Sequence, residues 1–174
     1  FSITKKYIGT PLKQVLTNLS LDPEKAIDIY RPIYFELMKT HQHLYNNILE
    51  LLNEIKNGGN LIFLATNKGR TGTDLTLEYT NIKNYFDLTV TETDVKNVKP
   101  EIDMFVHIKT YLDSKNLKYS NRDFLMVGDS PVDCDFATNC QIDFAHAGWG
   151  FYEMCDFMIK PKYRIKEVLD ILKL

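Results

Sequence analysis

From residue 44 onward, short apolar runs alternate with longer segments of helical periodicity, and this alternation restricts the fold more than any other feature of the chain. Strands that alternate with helices are typical of a parallel sheet covered by helices on both faces. The sequence therefore predicts an α/β fold built on a doubly wound parallel sheet. We predict strands at 61–65, 86–91, 124–127, 142–145 and 157–159. We predict helices at 44–56, 73–81, 100–114, 130–139 and 163–172.

The first part of the chain, up to about residue 43, has helical periodicity and no convincing strand. Thr10-Pro11 and Asp22-Pro23 are typical helix starts, because Thr and Asp are good N-caps and Pro is favoured at the first helical position. Pro32 lies inside the second helical pattern, so we predict a kink or a restart there. The two patterns divide the chain into a helical part, 1–43, and an α/β part, 44–174.

The charge balance of the chain excludes two classes of partner. Its 174 residues include 21 Lys and Arg and 23 Asp and Glu, a formal net charge of −2, with no basic tail and no basic amphipathic helix. A nucleic-acid-binding protein needs a basic surface, and a membrane-surface helix needs a basic face. The longest apolar run, 61–65, is far shorter than the roughly 20 residues of a membrane-spanning helix. We therefore expect neither a nucleic acid nor a membrane as a partner.

The cysteines and histidines indicate neither a disulfide framework nor a zinc site. Cys134, Cys140 and Cys155 are odd in number and irregularly spaced, which is typical of free thiols in a reducing compartment. His41 and His43 are two residues apart, so on a helix they point away from each other. We therefore expect a cytoplasmic protein without a zinc centre.

Polar side chains follow two of the predicted strands, and a lysine precedes a helix between them. In an open parallel sheet, ligands bind outside the carboxyl ends of the strands. Thr66 and Asn67 follow the first strand, and Asp129 and Asp133 follow the third. Lys99 comes just before the predicted helix that separates these strands. A hydroxyl, an amide, an ammonium and two carboxylates at one edge of a sheet describe a site for a phosphate and a divalent cation.

Each of these residues has a physical role in such a site. Asp129 and Asp133 supply hard oxygen donors for Mg²⁺, which keeps several waters and takes few protein carboxylates. Thr66 would donate its hydroxyl hydrogen to a phosphate oxygen, and Asn67 would donate its amide or a nearby backbone N–H. Lys99 would hold an ammonium beside the phosphate and reduce the repulsion between the phosphate and a neighbouring carboxylate.

Each residue also has an ordinary structural explanation. Asp133 would occupy the third position of a helix that starts at Ser130-Pro131, where the helix dipole favours an acid by about 0.3–1 kcal/mol. Asp129 could be a turn residue, and Lys99 could be a solvated side chain. Taken singly, each residue is better explained by structure. Taken in this order at successive strand ends, the set favours a functional site.

Several segments of the chain together resemble one known family. Gly-Asp-Ser-Pro-Val-Asp at 128–133 is the most specific, and it follows Leu-Ala-Thr-Asn-Lys at 64–68 and Val-Lys-Pro at 98–100. Ala-Gly-Trp-Gly-Phe at 147–151 and Tyr-Ile-Gly-Thr-Pro-Leu at 7–12 extend the similarity over nearly the whole chain. This ordered set resembles the haloacid dehalogenase-like hydrolase superfamily, in its phosphoglycolate phosphatase-like branch.

The resemblance implies a Rossmann-like core with a helical cap inserted after the first strand. In this family an aspartate at the end of that strand attacks phosphorus, and a second aspartate two residues later is the general acid and base. Mg²⁺ is held by the attacking aspartate, a backbone carbonyl and the carboxylates of the fourth motif. The resemblance therefore assigns 1–43 to a partial cap and 44–174 to the core, Thr66 and Lys99 to catalysis, Thr66, Asn67 and Lys99 to substrate binding, and Asp129 and Asp133 to the metal.

The chain departs from the family in one respect, because no Asp-x-Asp-Gly-Thr segment precedes the cap helices. We expect the central first strand, with the nucleophile and the acid/base, to lie upstream in a longer protein, and residues 1–174 alone to be inactive. That protein would be a phosphoric monoester hydrolase of a small phosphorylated metabolite, as a monomer or homodimer. The alternative is a catalytically inactive relative that binds a phosphate ligand or a protein partner. A phosphomutase stays open, whereas a dehalogenase has no phosphate charge to explain the paired carboxylates.

Overall fold

The computed structural model describes residues 7–174, without the side chain of Cys155. The helices are α1 (Leu12–Asn18), α2 (Pro23–His41), α3 (Ile48–Asn57), α4 (Arg70–Tyr79), α5 (Asp103–Ser114) and α6 (Pro131–Cys140). The strands are β1 (Phe63–Thr66), β2 (Leu88–Thr91), β3 (Leu125–Gly128), β4 (Asp143–Ala147) and β5 (Tyr163–Ile165). Short 3₁₀ helices lie at Lys83–Tyr85, Glu92–Asp94, Asn121–Asp123, Met154–Asp156 and Val168–Lys173. None of the helices in this part of the chain is both long and apolar enough to cross a membrane.

The strands form two parallel sheets. β1 pairs with β2, and Ala65 lies opposite Val90. The second sheet has the order β3-β4-β5, with Gly128 opposite His146. The predicted α/β fold with parallel strands is therefore confirmed. The first four predicted strands are all present, and their ends differ from the prediction by no more than two residues.

Helices cover both faces of β1, as a doubly wound sheet requires. Successive side chains of a strand point to opposite faces. Phe63 and Ala65 pack against the cluster that contains Phe105 and Ile108 of α5. Leu64 packs into a different cluster, which is formed by residues of α3, α4 and the segment after α4. The α5 cluster also contacts β3 and α6, so one hydrophobic core extends across both sheets.

One edge of β1 and one edge of β3 have no strand partner among the described residues. β1 is paired along one edge only, with β2, and β3 is paired along one edge only, with β4. Both strands border the same core, because Ala65 and Met126 pack against the same cluster. Backbone N–H and C=O groups at a buried sheet edge need hydrogen-bond partners. The two edges are therefore suited to a further strand.

The last part of the chain differs from the prediction. The predicted strand at 157–159 is wrong: Phe157 is buried against Phe144, but Met158 is fully exposed. The observed β5 lies at Tyr163–Ile165 and pairs with β4, and only its Ile165 is buried. The predicted helix at 163–172 is also wrong, because the chain forms β5 and then the 3₁₀ helix Val168–Lys173. An alternation over three residues is too short to be separated from a helical pattern.

The helical part begins close to the predicted positions. Asp22 is the N-cap of α2, and its carboxylate accepts hydrogen bonds from the N–H groups of Glu24 at 3.1 Å and Lys25 at 3.4 Å. Pro23 is the first helical residue, as predicted. α1 begins one residue later than expected, since Pro11 is its N-cap.

Pro32 does not end α2. The helix is continuous from Pro23 to His41, so of the predicted kink or restart at Pro32 the restart is wrong. The helix has a buried apolar side chain on each side of the proline, Ile27 before it and Met38 after it. Packing of both halves stabilises the continuous helix against the missing hydrogen bond at the proline.

Two of the cysteines are buried free thiols. Cys134 and Cys140 both lie on α6 and contribute to the core. Burial raises the pKa of the Cys140 thiol to about 12, so it stays protonated at neutral pH. Both thiols therefore act as small apolar side chains in the core.

Candidate active site

A cavity of about 960 Å³ lies at the carboxyl ends of β1 and β3 and is bordered by α1 and α2. The five residues predicted from the sequence all line this cavity. They come from three parts of the chain: the end of β1 and the residue after it, the segment just before α5, and the β3–α6 turn with the first turn of α6. These residues are Thr66, Asn67, Lys99, Asp129 and Asp133.

Lys99 connects β1 to α6. Its ammonium donates a hydrogen bond to the Ala65 carbonyl of β1 at 2.8 Å and another to Asp133 Oδ1 on α6 at 2.6 Å. The side chains of this ion pair are only 9% and 12% exposed. An ammonium has three N–H bonds, so one is left for a ligand. Lys99 can thus present a positive charge to the cavity while its partners hold it in place.

Asn67 positions the backbone of Lys99. Asn67 Nδ2 donates to the Lys99 carbonyl and to the Gly9 carbonyl, both at 2.9 Å, and Asn67 Oδ1 accepts from the Lys99 N–H at 3.0 Å. Both N–H bonds of the amide are used on main-chain carbonyls, so contact of this amide with a substrate stays a prediction. The sequence does not reveal the positioning role, because nothing in it links Asn67 to a partner 32 residues away.

Thr66 has a hydroxyl that is free to donate. Its Oγ1 accepts a hydrogen bond from the Lys68 N–H at 3.1 Å. Within residues 7–174, no acceptor contacts the hydroxyl hydrogen of Thr66. The hydroxyl is therefore oriented by its own loop and can donate to an anion in the cavity.

Asp133 caps α6 and pairs with Lys99 at the same time. Ser130 is the N-cap of α6, and its Oγ and N–H donate to Asp133 Oδ2 at 2.7 and 3.2 Å. The Asp133 N–H donates back to Ser130 Oγ at 3.3 Å, which completes a capping box. The other carboxylate oxygen accepts from Lys99. The helix start predicted at Ser130-Pro131 is confirmed.

Asp129 is held by the loop after β4. Its Oδ2 accepts a hydrogen bond from the Phe151 N–H at 2.7 Å, and among the described residues no donor contacts its Oδ1. The loop comes so close that a Cβ at Gly150 would lie 2.1 Å from Asp129 Cβ. Only glycine allows this approach. The Trp-Gly sequence of the loop is the one signal in the sequence that points to this contact.

Replacing Gly150 with Ala should destabilise the protein. The added methyl group would overlap Asp129 Cβ, which cannot turn away as the end of a long side chain could. We expect the free energy of unfolding to fall by about 1–3 kcal/mol, as for other overpacked sites. Urea denaturation of the two proteins measures the difference.

Gly58→Ala is the matched control for this variant. A Cβ at Gly58 would first meet the end of the Asn60 side chain, which can move, and the site lies at the end of α3 away from the cavity. We expect a much smaller change there. Equal stabilities of Gly150→Ala and the unmodified protein would contradict the close approach to Asp129.

Asp129 and Asp133 fit a hard cation that takes few protein ligands. Asp129 Oδ1 has no partner among the described residues, and Asp133 Oδ1 accepts only from Lys99 and so keeps one lone pair, whereas Asp133 Oδ2 already accepts two hydrogen bonds from Ser130. No group of three or more His, Cys, Asp or Glu side chains suited to a metal occurs in this part of the chain. Two carboxylates suit Mg²⁺, which retains water and substrate oxygens as ligands, and do not suit a zinc ion fully enclosed by protein.

Two further ionisable side chains in the cavity were not found by sequence reasoning. Burial lowers the pKa of the Lys68 ammonium. Burial raises the pKa of the Glu92 carboxyl, and the charge of Arg31 on α2 opposes this shift. Each shift reflects the poor solvation of a charge at the boundary between the sheets and the first two helices.

Comparison with known proteins identifies the family. The family described as haloacid dehalogenase-like hydrolase matches residues 2–147. The chain belongs to this family. The resemblance inferred from the motifs is therefore confirmed, and the two-sheet core with its cavity is that of a haloacid dehalogenase-like hydrolase.

Individual relatives of this hydrolase have related names. Pyrophosphatase PpaX of Bacillus velezensis is 26% identical over 170 residues, which cover 95% of this chain and 76% of the relative. A predicted phosphatase from Clostridium acetobutylicum has a TM-score of 0.72 at 25% identity, over 99% of this chain and 82% of that protein. A predicted phosphoglycolate phosphatase from Haemophilus somnus has a TM-score of 0.75 at 18% identity, over 98% and 80% of the two chains. The structural similarities confirm the Rossmann-like α/β fold.

Proposed function

We propose that this hydrolase is a Mg²⁺-dependent phosphatase that releases phosphate from a small phosphorylated metabolite through a phospho-aspartate. The observation that supports this most strongly is the convergence of the Thr66 hydroxyl, the Lys99 ammonium and the carboxylates of Asp129 and Asp133 on one cavity. The name pyrophosphatase of the Bacillus relatives supports the same class of reaction.

The side chains of the cavity would divide the work on the phosphoryl group. Thr66 would donate its hydroxyl hydrogen to one phosphoryl oxygen, and the remaining N–H of Lys99 would donate to another. Asn67 would keep Lys99 in position through its backbone. Mg²⁺, held by Asp129 and Asp133, would supply positive charge next to the phosphoryl oxygens. Fixed donors and charges aimed at a transferring phosphoryl group stabilise its transition state.

Neither Asp129 nor Asp133 is free to act as the attacking carboxylate. Asp133 is bound to Lys99 and Ser130, and Asp129 is bound to the loop after β4. We propose that the nucleophile lies on a strand outside residues 7–174 that pairs with the free edges of β1 and β3. The carboxyl end of such a strand would reach the same cavity, because it would lie between strands whose ends already line it. Residues 1–43 would then be part of the cap and 44–174 the core.

An inactive relative is the second candidate. One observation favours it: none of the strands β1 to β5 is followed directly by an Asp-x-Asp pair. Such a protein would use the same hydroxyl and ammonium groups to bind a phosphate ligand or a protein partner without turnover.

Phosphate release by the full-length protein that contains these residues separates the two candidates. We expect turnover of at least one compound in a panel of small phosphate esters, its loss on chelation of Mg²⁺ and its return when Mg²⁺ is added. Residues 1–174 alone should show no turnover, because the nucleophile would be missing. A correctly folded full-length protein without turnover across the panel would contradict the phosphatase and support the inactive relative.

The location of the protein in the cell and its oligomeric state are also proposals. We propose a cytoplasmic enzyme, which the buried free thiols Cys134 and Cys140 support. We propose a monomer or a homodimer, and sedimentation of the full-length protein measures which of the two forms.

A further inference from the structure

The side chain of Lys68 is held between the core and the helical part of the chain. Its ammonium donates to Thr76 Oγ1 on α4 at 2.6 Å and lies 5.3 Å from the ring centroid of Tyr34 on α2. Gly72 leaves room for it, since a Cβ there would lie 3.0 Å from Lys68 Cε. The contacts fix an otherwise flexible side chain at one place in the cavity wall.

Lys68 has no acidic partner, unlike the other basic residues of the cavity. Within the described residues, no carboxylate lies within 4.0 Å of its ammonium, and burial lowers its pKa. An anion bound beside a half-buried, unpaired cation gains favourable electrostatic energy. The other basic side chains face acids: Lys13 with Glu24 at 2.9 Å, Arg70 with Asp94, Lys99 with Asp133 at 2.6 Å, and Arg31 with Glu92 through its charge.

The ammonium lies between the phosphate-binding groups and the cap. The Lys68 N–H donates to Thr66 Oγ1, so the backbone of Lys68 adjoins the hydroxyl that would bind the reacting phosphate. Its side chain extends from there to Tyr34 on α2. A substrate whose phosphoryl group is bound by Thr66 and Lys99 would place the rest of its structure toward this boundary. Two hydrogen-bond donors of the ammonium are left for it.

We propose that Lys68 binds a second anionic group of the substrate. The preferred substrates would then be phosphorylated compounds whose leaving group carries a carboxylate or a second phosphate close to the reacting phosphoryl group. This inference rests on the proposed phosphatase function. It assigns Lys68 to substrate selection, whereas Thr66 and Lys99 would act on any phosphate ester.

Steady-state kinetics of the full-length Lys68→Met variant tests the proposal. Phosphoglycolate and inorganic pyrophosphate carry a second anionic group, and glycerol phosphate has an uncharged leaving group. We expect kcat/KM to fall about 10–100-fold for the first two and less than about threefold for glycerol phosphate, as for the loss of a hydrogen bond to a charged group. Lys68→Arg keeps the positive charge, so it should retain most of the difference in kcat/KM between the two anionic substrates and glycerol phosphate. A loss confined to one of the two anionic substrates would identify the second group as carboxylate or phosphate.

Lys13→Met is the matched control. Lys13 lines the same cavity but is exposed and already paired with Glu24, so its replacement should change the three kcat/KM values equally and by less than about twofold. Equal losses on all three substrates in Lys68→Met would show a structural role and overturn the inference. If the unmodified protein hydrolyses neither these three compounds nor any other ester of the panel, the proposed function fails. In that case calorimetric titration with pyrophosphate tests the role of Lys68. If Lys68→Met binds pyrophosphate as tightly as the unmodified protein does, the inference is overturned.

Discussion

Asp129→Asn in the full-length protein should reduce Mg²⁺-dependent phosphate release to below about 0.1% of the unmodified rate. The change replaces a charged oxygen donor with a neutral amide of the same size. The hydrogen bond from the Phe151 N–H, which now goes to Asp129 Oδ2, can go to the amide oxygen instead. The fold should therefore stay intact while the affinity for Mg²⁺ falls. Initial rates over a series of Mg²⁺ concentrations, with a circular dichroism spectrum of each protein, measure both effects.

Asp135→Asn provides the control, because Asp135 lies near the start of α6, six residues after Asp129, but is not among the described residues that line the cavity. This variant removes the same charge from the same region and should keep most of the activity. A rate for Asp129→Asn within about tenfold of the unmodified protein would count strongly against a metal role for this carboxylate.

Lys99→Met should both destabilise the protein and stop turnover. The change leaves the nearly buried Asp133 carboxylate without its cation and the Ala65 carbonyl without its donor. Breaking a buried ion pair by removing one partner costs about 3–5 kcal/mol of unfolding free energy. Turnover should fall with it, since the site would also lose the ammonium that we propose binds the reacting phosphoryl group. Urea denaturation measures the first effect, and phosphate release under conditions where the variant is folded measures the second.

The double variant Lys99→Met, Asp133→Asn separates charge from packing. If the stability loss comes from an unpaired carboxylate, neutralising Asp133 should restore part of the free energy of unfolding while activity stays absent. Lys83→Met is the surface control: its partner Glu78 is half exposed, and we expect no measurable change in stability. Lys99→Met with the stability of the unmodified protein would be inconsistent with the buried pair.

The sequence was sufficient to predict four of the five parallel strands and the strand ends at which the candidate residues lie. β1 and β3 are mostly apolar runs, as buried parallel strands require, and the residues at and just after their carboxyl ends therefore share one edge. β5 could not be recognised, because its partly exposed Tyr163, exposed Arg164 and buried Ile165 form a weak pattern. Val168–Lys173 has the spacing of a helix but forms a 3₁₀ helix whose capping box is made by Glu167 and Asp170.

The supporting contacts of the site could not be predicted because they depend on distances between segments remote in sequence. Asn67 was expected to bind substrate, yet its amide is bonded to main-chain groups of Gly9 and Lys99. The need for glycine at position 150 follows only from the closeness of Asp129. Lys68 was part of a motif without a role of its own, and only the positions of the surrounding acids show that it is unpaired.

The three hydrogen bonds of Asn67 have a mechanical consequence. One amide nitrogen holds both the Gly9 carbonyl, just ahead of α1, and the Lys99 carbonyl in the core. The segment entering the helical part and the segment bearing the ammonium therefore cannot separate without breaking a bond to the same atom. A displacement of the segment ahead of α1 away from the core would therefore break one of the two hydrogen bonds donated by the Asn67 amide nitrogen. The orientation of the Lys99 ammonium is thus coupled, through Asn67, to the position of the chain that enters the helical part.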